Sequence, residues 1–170
     1  MWWSKFLAAA ASVSFAAGLS GCFQPLYGEA AHPNLAADLR AIEVSPIPNR
    51  IGHYLANNLI TDLNGTGQTP PPKYRLTVTV ALATQTPTVN SELNVATSAT
   101  LTGEATYTLT RVDGGAEMLK GNAVAAASYD RTQQRYAGLR SARDAEIRIA
   151  RALSSEISLR LASTLAEKSS

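Results

Sequence analysis

Tyr74-Arg75-Leu76-Thr77-Val78-Thr79-Val80-Ala81-Leu82 is the stretch that decides the fold. Tyr74, Leu76, Val78, Val80 and Leu82 alternate with Arg75, Thr77, Thr79 and Ala81, a period of two that gives a strand with one apolar face. Downstream, a second strand is expected from about Val95 to Arg111. Its odd positions Ala99, Leu101, Ala105, Tyr107 and Leu109 point inward, and Ser98, Thr100, Thr102, Glu104, Thr106, Thr108 and Thr110 point to water. Val112-Asp113-Gly114-Gly115 is a hairpin turn, because Asp-Gly supports the positive φ that such turns need. A third strand, about Glu117 to Tyr129, completes an antiparallel meander, and Gly121 with the alanine run marks a place for a bulge.

Upstream, Thr66 to Lys73 (TGQTPPPK) is a loop, since three consecutive prolines forbid either regular ladder. Before it, Ile51, Leu55, Leu59 and Leu63 recur every four residues on an amphipathic helix that begins near Asn49 or Arg50 and stops at Asn64-Gly65. Ala41 to Val44 reads as a short strand ended by Ser45-Pro46-Ile47-Pro48. The last element is a long helix, about Tyr136 to Ala166, with Leu139, Ala142, Ile149, Leu153, Ile157, Leu161 and Leu165 as its core stripe. Arg140, Asp144 and Arg148 stand at i,i+4 spacing on another face and can pair there. The order is βαβββα. The expected fold is α+β, a two-layer sandwich with two helices packed on one face of a four-stranded mixed sheet.

The N-terminus has a different character. Phe6 to Leu19 carries no charge and follows a short head containing Lys5, the layout of an export signal. It ends in Leu19-Ser20-Gly21-Cys22, which resembles the bacterial lipobox and contains the chain's only cysteine. That motif implies cleavage between Gly21 and Cys22, with an S-diacylglycerol and an N-acyl group on Cys22. An apolar stretch of this length is short of the roughly 20 residues that a bilayer-spanning helix requires. The expected organisation is a lipoprotein signal peptide over 1–21, a lipidated N-terminus and tether over 22–40, and a single α+β domain over 41–170. Phe23 in place of Asp after the cysteine favours the outer membrane under the common sorting rule.

Composition narrows the functions. Residues 22–170 carry 14 Lys+Arg against 13 Asp+Glu, so a nucleic-acid partner gets no electrostatic support. The chain shows no His-Glu-x-x-His, no Gly-x-Ser-x-Gly elbow and no Gly-Lys-Ser/Thr phosphate loop. His32 and His53 have no cysteine to join them at a metal. Asp144 and Glu146 lie on an arginine-rich helix, where surface pairing is expected rather than acid–base work. The expectation is a protein that is not an enzyme, with no catalytic residues, metal or cofactor beyond the covalent lipid.

Leu19 to Gly28 (Leu-Ser-Gly-Cys-Phe-Gln-Pro-Leu-Tyr-Gly), the βαβββα order, Ala127-Ser128-Tyr129-Asp130, Tyr136-Ala137 and Asp144-Ala145 together resemble the LPS-assembly lipoprotein (LptE) family. The resemblance implies an outer-membrane lipoprotein inside the lumen of the large β-barrel LPS translocon (LptD-type). There it acts as a plug, assists barrel assembly and contacts lipopolysaccharide on its way to the outer leaflet, with the domain facing the periplasm and barrel lumen. Contact with LPS phosphates needs cations, and Arg75, Arg111 and Lys120, near strand ends or on outward faces, are the candidates. A second reading is a periplasm-facing auxiliary lipoprotein of an ABC transporter, a group with a related α+β shape.

Overall fold

The computed structural model describes residues 33–65, 70–86, 89–90, 95–96, 98–132 and 134–169. The expected signal peptide over 1–21, its cleavage point at Gly21 and Cys22, and the expected tether as far as residue 32 lie outside the described residues. The elements in chain order are α1 (Pro33–Arg40), β1 (Ile42–Val44), α2 (Asn49–Asn64), β2 (Tyr74–Gln85), β3 (Val89–Asn90), β4 (Val95–Ala96), β5 (Ser98–Arg111), β6 (Glu117–Asp130) and α3 (Arg135–Ser169). One sheet has the order β1-β2-β5-β6, and β3 and β4 form a separate two-stranded ribbon. The α+β class and the four-stranded mixed sheet are as the periodicities predict.

β1 pairs parallel with β2, from Ile42 opposite Tyr74 to Val44 opposite Leu76. The connection runs through α2, which lifts the chain over the sheet and returns it in the same direction. β2 and β5 are antiparallel from Tyr74 opposite Arg111 to Gln85 opposite Thr100. β5 and β6 follow as a hairpin whose turn glycines, Gly114 and Gly115, have φ of 98° and 68°. The irregularity in this pair lies between Leu109 and Thr110, where Leu119 and Glu117 are their successive partners and Met118 is skipped. Gly121, the expected bulge, is paired in register with Tyr107. Its role is spatial: a Cβ there would stand 2.6 Å from the Tyr107 hydroxyl. Gly103 similarly admits Ile149, whose Cγ2 would lie 2.5 Å from an added Cβ.

The core lies between the sheet and the helices. Leu76, Tyr107 and Leu109 from the strands meet Leu55 and Leu59 of α2 and Ile149, Leu153, Ile157 and Leu161 of α3, all nearly inaccessible. α3 is 35 residues long, about 52 Å at 1.5 Å per residue. Its first two turns hold exposed Tyr136 and Leu139, so Leu139 does not join the expected core stripe. Leu82 is likewise 38% exposed, at the far end of β2.

Two boundaries differ from the sequence reading. Residues 33–40, expected as the end of a tether, form α1, which buries Leu35 and packs Leu39 against the core. Lys73 Nζ also bonds Asp38 Oδ1 at 2.8 Å, fastening α1 to the loop before β2. The strand expected from Val95 begins at Ser98, and Val95–Ala96 pairs with Val89–Asn90 instead.

α2 and α3 are tied at two levels. Arg50 Nε donates to Glu146 Oε2 at 2.8 Å and Arg50 Nη2 to Glu146 Oε1 at 2.5 Å, a two-pronged bond. That bond, reinforced by the charge of Glu146, holds the guanidinium further toward its charged form than an ordinary arginine. Further along, fully buried Ser154 donates to Asp62 Oδ2 at 2.6 Å.

Candidate functional site

The helices cover one face of the sheet; the side chains of the other face are largely exposed. The strand registers order that open face into rows. Glu43, Arg75, Thr110 and Glu117 form the first, Thr77, Thr108 and Lys120 the second, and Thr79, Thr106 and Asn122 the third. Ala81, Glu104 and Val124 follow, then Ala83, Thr102 and Ala126, then Gln85, Thr100 and Ser128. Threonine dominates because its branched Cβ suits the extended backbone while its hydroxyl keeps the surface wettable. Thr100 Oγ1 and Ser128 Oγ, 3.0 Å apart, are an example of the cross-strand polar pairs this allows.

Of the three candidate cations, the structure brings two to this face. Arg75 lies in the first row and Lys120 in the second, two strands apart and so about 10 Å across the sheet. Arg75 is held by Glu43, with its Nη2 3.1 Å from Oε2. Lys120 is exposed and makes no ion pair with another described residue. Arg111 does not join them. It stands opposite Tyr74, whose side chain is in the core, and lines a cavity of about 240 Å³ at the sheet's end with Lys73, Tyr74 and Asp113.

Two other concavities escape the sequence reading. A groove of about 570 Å³ between α1, α2 and α3 is floored by Leu39, Leu63 and Ala162 and rimmed by Asp62, Arg151 and exposed Leu159. Within it the Ser158 hydroxyl is buried with no hydrogen-bond partner among the described residues. The Leu35 and Leu39 spacing, i,i+4 after Pro33, was the available signal for α1 and hence for this groove. The second concavity, about 490 Å³, lies where β6 ends against α3 and includes Asp130, Arg140, Asp144 and Arg148. Arg148 Nε bonds Asp144 Oδ2 at 2.9 Å, and Arg140 sits over the Tyr136 ring, 5.5 Å from its centroid. The expected i,i+4 pairing is therefore made at Asp144–Arg148.

Burial is the first cause holding the Tyr107 hydroxyl above its ordinary range, so it keeps its proton; nearby Arg160, bonded to Glu156 at 2.8 Å, offsets this in part. Glu146 and Asp144 are each engaged by an arginine. Among the described residues no three His, Cys, Asp or Glu side chains gather as a metal site would require. No helix of the described residues is long and apolar enough to cross a membrane.

Neither a protein-family model nor a curated protein sequence matches this chain. Solved structures do. A protein of Caulobacter crescentus CB15 provisionally named a lipoprotein is 26% identical, with a TM-score of 0.64 over 79% of this chain and 97% of that one. A minor lipoprotein of Acinetobacter baumannii is 15% identical, with a TM-score of 0.53 over 73% of this chain and 91% of its own. The domain built here on α1 to α3 thus has a fold found in bacterial lipoproteins.

Proposed function

We propose that this chain is a lipid-anchored, non-catalytic outer-membrane lipoprotein. In this reading it is the plug and assembly partner of a β-barrel LPS translocon and assists delivery of lipopolysaccharide to the outer leaflet. The observation that carries the proposal is the lipobox Leu19-Ser20-Gly21-Cys22 with Phe23 to Gly28 behind it, ahead of a fold shared with bacterial lipoproteins. Diacylglyceryl and N-acyl chains on Cys22 hold the domain at the periplasmic leaflet, since each buried methylene contributes about 0.8 kcal/mol and two or more chains anchor where one does not. The lumen of a large barrel is polar, and the threonine-rich open face offers a polar surface to match it. Arg75 and Lys120 on that face are the cations proposed to meet LPS phosphates, with Arg111 contributing from the sheet's end.

The decisive experiment is purification of the native lipoprotein from detergent-solubilised outer membranes. A large β-barrel should accompany it in stoichiometric amount, and depletion of the chain should reduce surface LPS. Recovery of the chain alone, or with an inner-membrane permease, would sink the proposal. Labelled palmitate should enter the wild-type chain and not Cys22→Ala.

A further inference from the structure

The two edges of the sheet are built differently. β1 offers three residues and is closed off by Ser45-Pro46-Ile47-Pro48, which blunts it. β6 is 14 residues long, pairs with β5 on one side and, among the described residues, has no strand on the other. From Gly121 to Tyr129 it has neither a charge nor a proline, the devices that usually guard an edge.

The hydrogen-bond pattern settles which backbone groups face outward. Val112 N–H donates to the Lys73 carbonyl and Arg111 N–H to the Ala116 carbonyl, each at 2.9 Å. Even residues of β5 therefore bond β2 and odd ones bond β6. Odd residues of β6 from Leu119 onward answer them, and the even residues Lys120 to Asp130 turn their N–H and C=O groups outward. The contact of α3 agrees: Arg148 Nη2 donates to the Ser128 carbonyl at 2.9 Å.

We propose that β6 is a self-recognition edge, pairing antiparallel with β6 of a second copy about a twofold axis through Ala125, to give one continuous eight-stranded sheet. The charges select both partner and register. With the axis at Ala125, Lys120 stands opposite Asp130 of the second copy, and the twofold makes that pair twice. Asn122 then faces Ser128, and Val124 faces Ala126. An axis at Val124 or at Ala126 also presents outward groups to each other but leaves both charges without opposite partners. Asn122 N–H of the second copy takes over the Ser128 carbonyl, and Arg148 keeps Asp144. The pairing needs no barrel and stands apart from the function proposed above.

The test is sedimentation of the full chain in detergent over a wide concentration range. A reversible dimer is expected. Val124→Pro removes an outward N–H that no β5 residue uses, so the chain should stay folded and become monomeric. Lys120→Asp should weaken the dimer roughly tenfold, and adding Asp130→Lys should restore it. In a Cys22→Ser background, Ala125→Cys should form a disulfide dimer faster than Val124→Cys. A chain monomeric at every concentration, a dimer indifferent to both Val124→Pro and Lys120→Asp, or faster cross-linking through Val124→Cys would each overturn the proposal.

Discussion

The same strands present two surfaces of opposite character. On the helix side, Leu76, Tyr107 and Leu109 are at most 1% exposed. One residue along, on the open side, stand Thr77, Thr106 and Thr108, with Lys120 and Asn122 beside them. Side chains that point alternately to opposite faces let one run of backbone serve as core wall and as exterior. The covered face holds the fold together; the open face is available for contact, and substitutions there should change binding more than stability.

The largest expected break in that contrast is Leu153→Ala, which removes a fully buried side chain of α3 over the sheet. It should cost about 2–5 kcal/mol in chemical denaturation, depending on how far the site collapses. Next comes Gly121→Ala, which drives a methyl into the Tyr107 ring and should cost about 1–3 kcal/mol. Tyr107→Leu in the same chain should recover part of that loss; strictly additive costs would show that the ring is not what the glycine accommodates. Arg50→Ala loosens the bond to Glu146, whose side chain is only 12% exposed, and should cost about 1 kcal/mol because the arginine itself is half in water.

On the open face, Thr106→Ala should fall within about 0.5 kcal/mol of wild type. Lys120→Glu should leave the melting curve nearly unchanged while weakening retention on immobilised LPS, and unchanged retention would remove Lys120 from the proposed contact. The smallest effect belongs to Lys73. Its hydrogen bond to Asp38, together with that carboxylate's charge, holds the amine above the ordinary lysine value of 10.5. A pKa raised by folding stabilises below the unfolded value and is lost as pH rises through the folded one. Stability should therefore decline slightly above pH 10.5, and Lys73→Met should abolish that share of the decline.

The strands of the four-stranded sheet and both long helices were legible because their cues are local, whereas the Val89–Asn90 and Val95–Ala96 ribbon was not read. Tyr74 to Leu82 alternates over nine residues, and Ile51, Leu55, Leu59 and Leu63 make a single stripe, whatever they pack against. α1 was hidden because eight residues with two apolar anchors carry little signal until there is a core for Leu35 to enter. Leu139 and Leu82 obey the same periodicities as their buried neighbours yet lie partly in water, because a periodic pattern does not record where the opposing layer ends. The alternation along β5 already sets odd-numbered Arg111 apart from Arg75, whereas the facing of Lys120 needed the strand register. Arg75 and Lys120 share a face, while Arg111, one step out of phase at the strand's end, does not.

The amino-acid sequence by itself determined the α+β class and the inward and outward parity of the strands built on Tyr74 to Leu82 and on Ala99 to Leu109, and it supplied the expectation of an export and lipidation signal ending at Cys22. These depend on spacing along the chain, and spacing survives without a fold. Only the tertiary structure decided that Arg50 meets Glu146 and Ser154 meets Asp62, that Gly121 makes way for Tyr107, and that β6 stands at the edge of the sheet. Those pairings join residues distant in sequence, and their partners are selected by how the layers cross and which strands become neighbours. No local period encodes that choice.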